Sequence, residues 1–193
     1  MSYCLRIALI LNISACTAFA AAPIPSGIVV TSLNVTHSGN NGRDTFAEIT
    51  INNSLTLRDI RVLTVGGRTL LKFPESISKR GKVFPQVRLT SRPAREAVYS
   101  AVETQSSSSR WGPLSYQITR VTRYGKKSSL KAFVLVNFGG SLEVECRVFS
   151  GNRGLHVGWP SRKQDSGWVD QVTIDDSKLK SDVEGAVIAA YEK

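Results

Sequence analysis

Histidine, cysteine and methionine are scarce in this chain of 193 residues, which has two His, three Cys and one Met. With His37 and His156 as the only imidazoles, multi-histidine metal centres lack their ligands. Three cysteines are too few for a disulfide scaffold or a four-cysteine zinc site. No apolar run approaches the roughly 20 residues that a membrane-spanning helix needs, which excludes a polytopic membrane protein. A glycine-rich phosphate loop of the Walker type is missing, and no Ser-His-Asp order accompanies a nucleophile elbow. The series Asp165, Asp170, Asp175, Asp176 lacks calcium-loop spacing. The chain is therefore not expected to be an enzyme. No catalytic residue, metal site, cofactor or small-molecule substrate is assigned.

What is present is globular and basic. Hydrophobic residues make up 41% and charged residues 21%, close to the averages of folded domains. Lys and Arg number 25 against 15 Asp and Glu, a formal charge of +10. That excess points to an anionic partner such as nucleic acid, anionic lipid or an acidic polymer. Charge alone fits a surface kept soluble equally well.

Residues 1–22 read as an export leader. Arg6 is the only charge, Ile7 to Leu11 form the apolar centre, and Ala18-Phe19-Ala20 offers a small-residue cleavage site. The stretch Ile13-Ser14-Ala15-Cys16 also resembles a lipobox, which makes Cys16 a candidate for lipidation. Both readings place the protein in the periplasm, outside the cell or on a lipid anchor. The alternative is a later, non-AUG start near Val29 or Val30, which would leave it cytoplasmic.

Behind the leader the sequence repeats at a spacing of 86 residues. Arg61-Val62-Leu63 matches Arg147-Val148-Phe149, Phe73-Pro74 matches Trp159-Pro160, and Gly81 and Val83 match Gly167 and Val169. Gln86-Val87 matches Gln171-Val172 after a one-residue slip. Two copies of one pattern imply two small domains, at 28–103 and 114–193. Between them lies a Ser-rich linker, 104–113, able to span up to roughly 33 Å when extended. The first unit carries 11 basic and 6 acidic residues, and the second 12 and 9.

Both units give the same α+β reading: a mainly antiparallel sheet followed by a C-terminal helix. Asn52-Asn53 and Gly139-Gly140 are matching hairpin turns. In the second unit strands are expected near 114–124, 129–138 and 141–150. A polar loop is expected after each Phe-Pro or Trp-Pro corner, then one more strand. In the second helix Leu179, Val183, Ala186, Val187, Ala190 and Tyr191 share a face, capped by Asp175, Asp176 and Ser177. Gly185 interrupts that helix, which is most simply explained by close packing on the sheet. In the first helix Pro93 sits in the opening turn, and Ala94, Val98, Ala101 and Val102 form the buried stripe. Cys146 reads as a small buried hydrophobe. His37 lies in a Ser/Gly/Asn stretch and reads as a solvated loop residue. Phe73 and Trp159 take the same place in both units and are expected to pack in the core. Arg120, Arg123, Lys126 and Lys127 form a second basic cluster, read as solvated, since strand residues three apart point to opposite faces.

The second unit contains Arg147-Val148, then Asn152-Arg153-Gly154-Leu155-His156-Val157-Gly158-Trp159-Pro160-Ser161-Arg162-Lys163, then Gly167-Trp168-Val169-Asp170. This order resembles the SpoVG family (stage V sporulation protein G, the septation regulator). The first unit repeats it less faithfully, as Asp59-Ile60-Arg61-Val62, Gly66-Gly67-Arg68 and Phe73-Pro74. The resemblance implies a small α+β domain that dimerises and binds DNA or RNA, with basic residues after the proline corner as contacts. The candidates are Arg153, Arg162 and Lys163. In the first unit Glu75-Ser76 replaces the basic pair, and positive charge moves to Lys79, Arg80 and Lys82. Two units in one chain are expected to pair internally as a pseudo-dimer, leaving a monomer. Membrane attachment is expected only through the leader. The function implied is nucleic-acid-binding regulation tied to septation or cell division. The alternative is an exported or lipid-anchored envelope protein that keeps the fold and binds anionic surfaces or partners.

Overall fold

The computed structural model describes residues 27–38, 44–78, 80–165 and 167–193. The leader with Cys16, and Lys79, lie outside the described residues. The chain is α+β, built from mainly antiparallel sheets and two helices.

Each unit has the same eight elements in the same order. The first holds β1 (Val30–Ser38), β2 (Asp44–Ile51), β3 (Leu55–Val65), β4 (Arg68–Lys72), β5 (Glu75–Ile77), β6 (Val83–Pro85), β7 (Val87–Leu89) and α1 (Arg92–Thr104). The second holds β8 (Tyr116–Arg123), β9 (Leu130–Phe138), β10 (Leu142–Gly151), β11 (Gly154–Gly158), β12 (Ser161–Gln164), β13 (Gly167–Asp170), β14 (Val172–Ile174) and α2 (Ser177–Glu192). His37 falls at the end of β1 opposite Thr45 rather than in a loop, its Nδ1 3.0 Å from the Thr45 hydroxyl. The polar loops expected after Pro74 and Pro160 are two-stranded hairpins, β5–β6 and β12–β13.

Three residues connect the central strands at each hairpin, and the first two of them have positive φ. Asn52 and Asn53 have φ of 49° and 52°, Gly139 and Gly140 of 55° and 67°. Asparagine and glycine tolerate that region better than other residues. From these turns the strands alternate, although Leu135 on the opposite face is buried as well. Ala132, Val134, Val136 and Phe138 of β9 and Leu142, Val144, Cys146 and Val148 of β10 are buried. Their neighbours in sequence point to the opposite face. Cys146 sits in this row fully buried, and burial pushes its thiol up to about 12. It therefore packs as a neutral apolar side chain.

The sheets are not each built from one unit. The strand order β1-β2-β3-β14, with β4 also on β3, brings the last strand of the second unit into the first sheet. Reciprocally, β7 of the first unit joins β8, β9, β10 and β11 through Leu142 to Val144 of β10. The crossing points are alike. Arg58 N–H donates to Gln171 O at 2.8 Å, and Glu145 N–H to Gln86 O at 2.8 Å. The N–H groups of Gln86 and Gln171 donate to Pro74 O and Pro160 O. Each proline corner thus holds the buried glutamine that starts an exchanged strand.

One hydrophobic cluster spans both units. Each fully buried Val, Leu or Ile contributes about 1.5–3 kcal/mol to it. The helices close its open sides. In α1 the buried residues are Ala94, Val98, Ala101 and Val102, and the Ser91 hydroxyl caps Ala94 N–H at 3.3 Å. In α2 Val183 and Val187 are buried, and Asp176 caps Leu179 N–H at 2.9 Å. Gly185 is exposed, and a Cβ there would meet nothing within 4 Å, so close packing does not explain it. The Ser-rich stretch is fastened rather than free. Ser108 N–H donates to Val30 O at 2.8 Å, and the Asn52 amide donates to Gly112 O at 3.0 Å.

Candidate nucleic-acid interface

The basic residues after the second proline corner lie on a hairpin whose short strands leave their side chains in solvent. Arg162 and Lys163 are exposed on β12, Lys163 directly opposite Trp168 on β13. Trp168 is 71% exposed, the most open large apolar side chain among the described residues. Its counterpart hairpin carries Phe84, 39% exposed, with the Lys82 ammonium 5.2 Å from the ring centroid. Arg80 is exposed in the turn of that hairpin. Each hairpin therefore offers an aromatic ring beside a cation, a pairing that suits stacking on a base next to a phosphate.

The arrangement is not uniformly positive. Arg162 grips Asp59 of the first unit through two bonds, Nε at 2.5 Å and an Nη at 3.1 Å. The same carboxylate accepts from the Gln171 amide at 3.2 Å. Asp59 can reach them because its φ of 59° kicks out an extra residue in β3, where Arg58 and Asp59 together oppose Glu48 of β2. Arg162 thus ties the two units together and is half neutralised. Asp165 and Asp170 lie on the same hairpin as Lys163, so its formal charge balances.

Arg153 stands apart from this hairpin. It is exposed in the β10–β11 turn, at the opposite end of β11 from Arg162. The second basic cluster also divides. The Arg123 guanidinium lies 5.0 Å over the Tyr191 ring and donates to Tyr191 O at 2.7 Å, binding the C-terminus of α2. Lys126 and Lys127 are exposed in the β8–β9 turn. Phe73 and Trp159 pack against the core as expected, and the Trp159 indole donates to Glu184 at 2.9 Å. Among the described residues no group of His, Cys, Asp or Glu could hold a metal ion, and no helix is long and apolar enough to cross a membrane.

Two features of this interface were missed in the sequence although it carries signals for both. Trp168 stands in the motif without an assigned role, yet it sits in a two-residue-period strand of a hairpin too short to bury both faces. The other is charge segregation. No Asp or Glu occurs from 104 to 142, a stretch with Arg110, Arg120, Arg123, Lys126, Lys127 and Lys131. Among the described residues the six ion pairs all use cations outside that stretch.

The family model described as SpoVG matches residues 116–193, the second unit from the first residue of β8 onward. No curated protein and no solved structure matches the chain. The second unit is thus similar to the SpoVG family over all of its elements, including the hairpin with Arg162, Lys163 and Trp168.

Proposed function

We propose that this protein is a nucleic-acid-binding regulator of the SpoVG type, linked to septation or cell-division control, and not an enzyme. The observation that carries the reading is the match of residues 116–193 to the SpoVG family. The exposed cations and aromatic rings of the two hairpins support it as DNA or RNA contacts. Lys163, Arg153, Arg80, Lys82 and the free donors of Arg162 serve as phosphate ligands. The strand exchange supports a monomer in which the two units pair internally, in the manner of an isologous dimer.

Reversal of Arg162 is a poor test, since a glutamate there would face Asp59 and loosen the junction. Lys163→Glu with Arg153→Glu leaves that ion pair intact. The double variant is expected to lower affinity for all sequences together, and to flatten the decline of log K with log salt by roughly 0.7–0.9 per lost contact. Anisotropy titrations at matched salt check this. Unchanged affinity and slope would remove these residues from the interface. Absence of wild-type binding near physiological salt would remove the nucleic-acid reading itself.

The leader-like composition of residues 1–22 favours a second reading, an exported or lipid-anchored envelope protein using its basic surface on anionic partners. Mass spectrometry of the native N-terminus separates the two. A chain beginning near Ala21, or at an acylated Cys16, supports the envelope reading, and one beginning near Val29 supports the regulator.

A further inference from the structure

Alternation along the strands gives the second sheet an inner face on the core and an outer face away from it. Phe133 lies between buried Ala132 and Val134, and Phe149 follows buried Val148, so both rings point outward. Neither belongs to the hydrophobic cluster nor packs against it. Around them the outer face is aromatic and cationic. Tyr124 meets Phe133 edge-on with centroids 6.1 Å apart, and the Arg147 guanidinium lies 5.9 Å from the Phe133 centroid. Phe149 is stacked on His156 across β10 and β11, at 5.6 Å and 22°.

Gly158 makes the last arrangement possible. A Cβ there would stand 2.7 Å from Cε2 of Phe149, closer than real atoms approach, so only glycine lets that ring lie over β11. At the end of the sheet beside these rings, the β8–β9 and β10–β11 turns lie together, joined by Ser150 N–H to Ser129 O at 2.8 Å. They carry Lys126, Lys127 and Arg153, with Lys131 at the start of β9. No carboxylate occurs on either turn. The two acids on this face lie toward the opposite end. Glu143 is bound by Arg88 at 2.6 Å, and Glu145 lies near Arg147, Arg120 and Arg88.

We infer that the outer face of the β8–β9–β10–β11 sheet is a stacking platform for single-stranded nucleic acid, with bases on Tyr124, Phe133, Phe149 and His156 and phosphates on the two basic turns. This rests on the nucleic-acid reading above and adds the strandedness and the surface. Four strands set about 4.8 Å apart present a width suited to two or three stacked bases. Duplex DNA, with its bases already stacked on each other, has no use for such rings. Protection of β8 as an edge strand explains Arg120 and Arg123 but not outward rings on β9, β10 and β11.

The test uses the full chain and fluorescently labelled oligo(dT), with a duplex of equal length as competitor. Wild type is expected to favour the single strand. Phe149→Leu with His156→Leu should weaken single-strand binding roughly tenfold while leaving the salt slope unchanged, since stacking and not charge is lost. Gly158→Ala, which displaces Phe149 without altering any contact atom, should weaken it in the same direction. Lys126→Glu with Lys127→Glu should instead reduce the slope by roughly 0.7 per contact. Thermal midpoints verify that each variant is folded. Wild-type preference for duplex overturns the platform, as do stacking variants that bind like wild type. Failure of wild type to bind either probe at low salt overturns the nucleic-acid reading and the platform together.

Discussion

The two units share a skeleton and differ in what they display on it. Arg61 lies 5.7 Å from the Phe46 ring in the first sheet, and Arg147 lies 5.9 Å from Phe133 in the second. The turns, the proline corners and the buried glutamines also coincide. The next pair outward does not. Leu63 faces Leu70 across β3 and β4, where Phe149 faces His156 across β10 and β11. Ser32, Thr36, Thr50 and Thr56 give the first sheet a hydroxyl-rich outer face. The second sheet instead sets Arg120 and Arg147 on its outer face, with the Phe133 ring beside Arg147. Residues that set backbone geometry are thus held in common, whereas those facing solvent have separated, which is what division of labour between two halves requires.

The largest effect is expected from cutting the chain. If each half were self-sufficient, 114–193 would fold alone, the simplest expectation from two repeats. The exchange argues otherwise, because that fragment leaves β10 without β7 and β14 without β3. Unpaired strand edges seek partners. The fragment is expected to show a cooperative thermal transition only in a self-associated form, with β14 of one copy replacing β7 on another. Light scattering during the melt checks this, and a monomeric fragment with a sharp transition would show the halves to be independent.

A sharper comparison lies at the two hairpin turns. Asn52 is buried, accepts from Val29 N–H at 2.9 Å and donates to Gly27 O and Gly112 O at 2.9 and 3.0 Å. Its counterpart Gly139 has no side chain, and Ile28, Gly27 and Leu114 crowd the space where one would be. One turn is held by hydrogen bonds and the other by close approach. Asn52→Ala removes the partner of three polar groups, one buried and two part-buried, and places alanine at positive φ, and should cost about 3 kcal/mol or more in denaturant unfolding. A loss below about 1 kcal/mol would mean that water replaces the amide.

Much of this was legible in the sequence, for physical reasons that stop at identifiable places. The buried stripe of α1 and the paired turns follow from periodicity and from the φ demands of a tight turn. The exchange was invisible, since a three-residue strand such as Val172–Ile174 carries no mark of which sheet it completes. The polar loops hid hairpins, because strands with both faces solvated lose the apolar alternation by which strands are recognised. Asp59 was read only as part of a motif. Its grip on Arg162 depends on a bulge that no local pattern announces. Arg153, Arg162 and Lys163 are adjacent in the motif yet lie at two ends of β11, so motif proximity overstated their nearness.

The helices provide a smaller test. Ser100 of α1 corresponds to Gly185 of α2, and nothing in α2's surroundings requires glycine. Gly185→Ala is expected to stabilise the chain by about 1 kcal/mol through helix propensity alone. A destabilised variant would reveal a partner or contact on that face of α2.

The smallest effect concerns a position where the units carry opposite charge. Arg58 and Glu145 donate the equivalent exchange-point hydrogen bonds, but Arg58 pairs with Glu48 at 2.8 Å, whereas Glu145 is half-buried on the second sheet. Burial raises the Glu145 carboxyl above its ordinary value, opposed by Arg147, Arg120 and Arg88. An acid raised in the folded state binds protons there more readily than in the unfolded chain. Its ionisation therefore costs stability as pH rises from the ordinary carboxylate range through the folded value. Glu145→Gln should raise the thermal midpoint slightly at neutral pH, and the gain should vanish below the ordinary carboxylate range, where the wild-type side chain is already protonated in both states. Melts of both proteins across acidic and neutral pH check the sign. A midpoint lowered at neutral pH would mean that the three arginines outweigh burial, and that Glu145 is as much a paired residue as its counterpart Arg58.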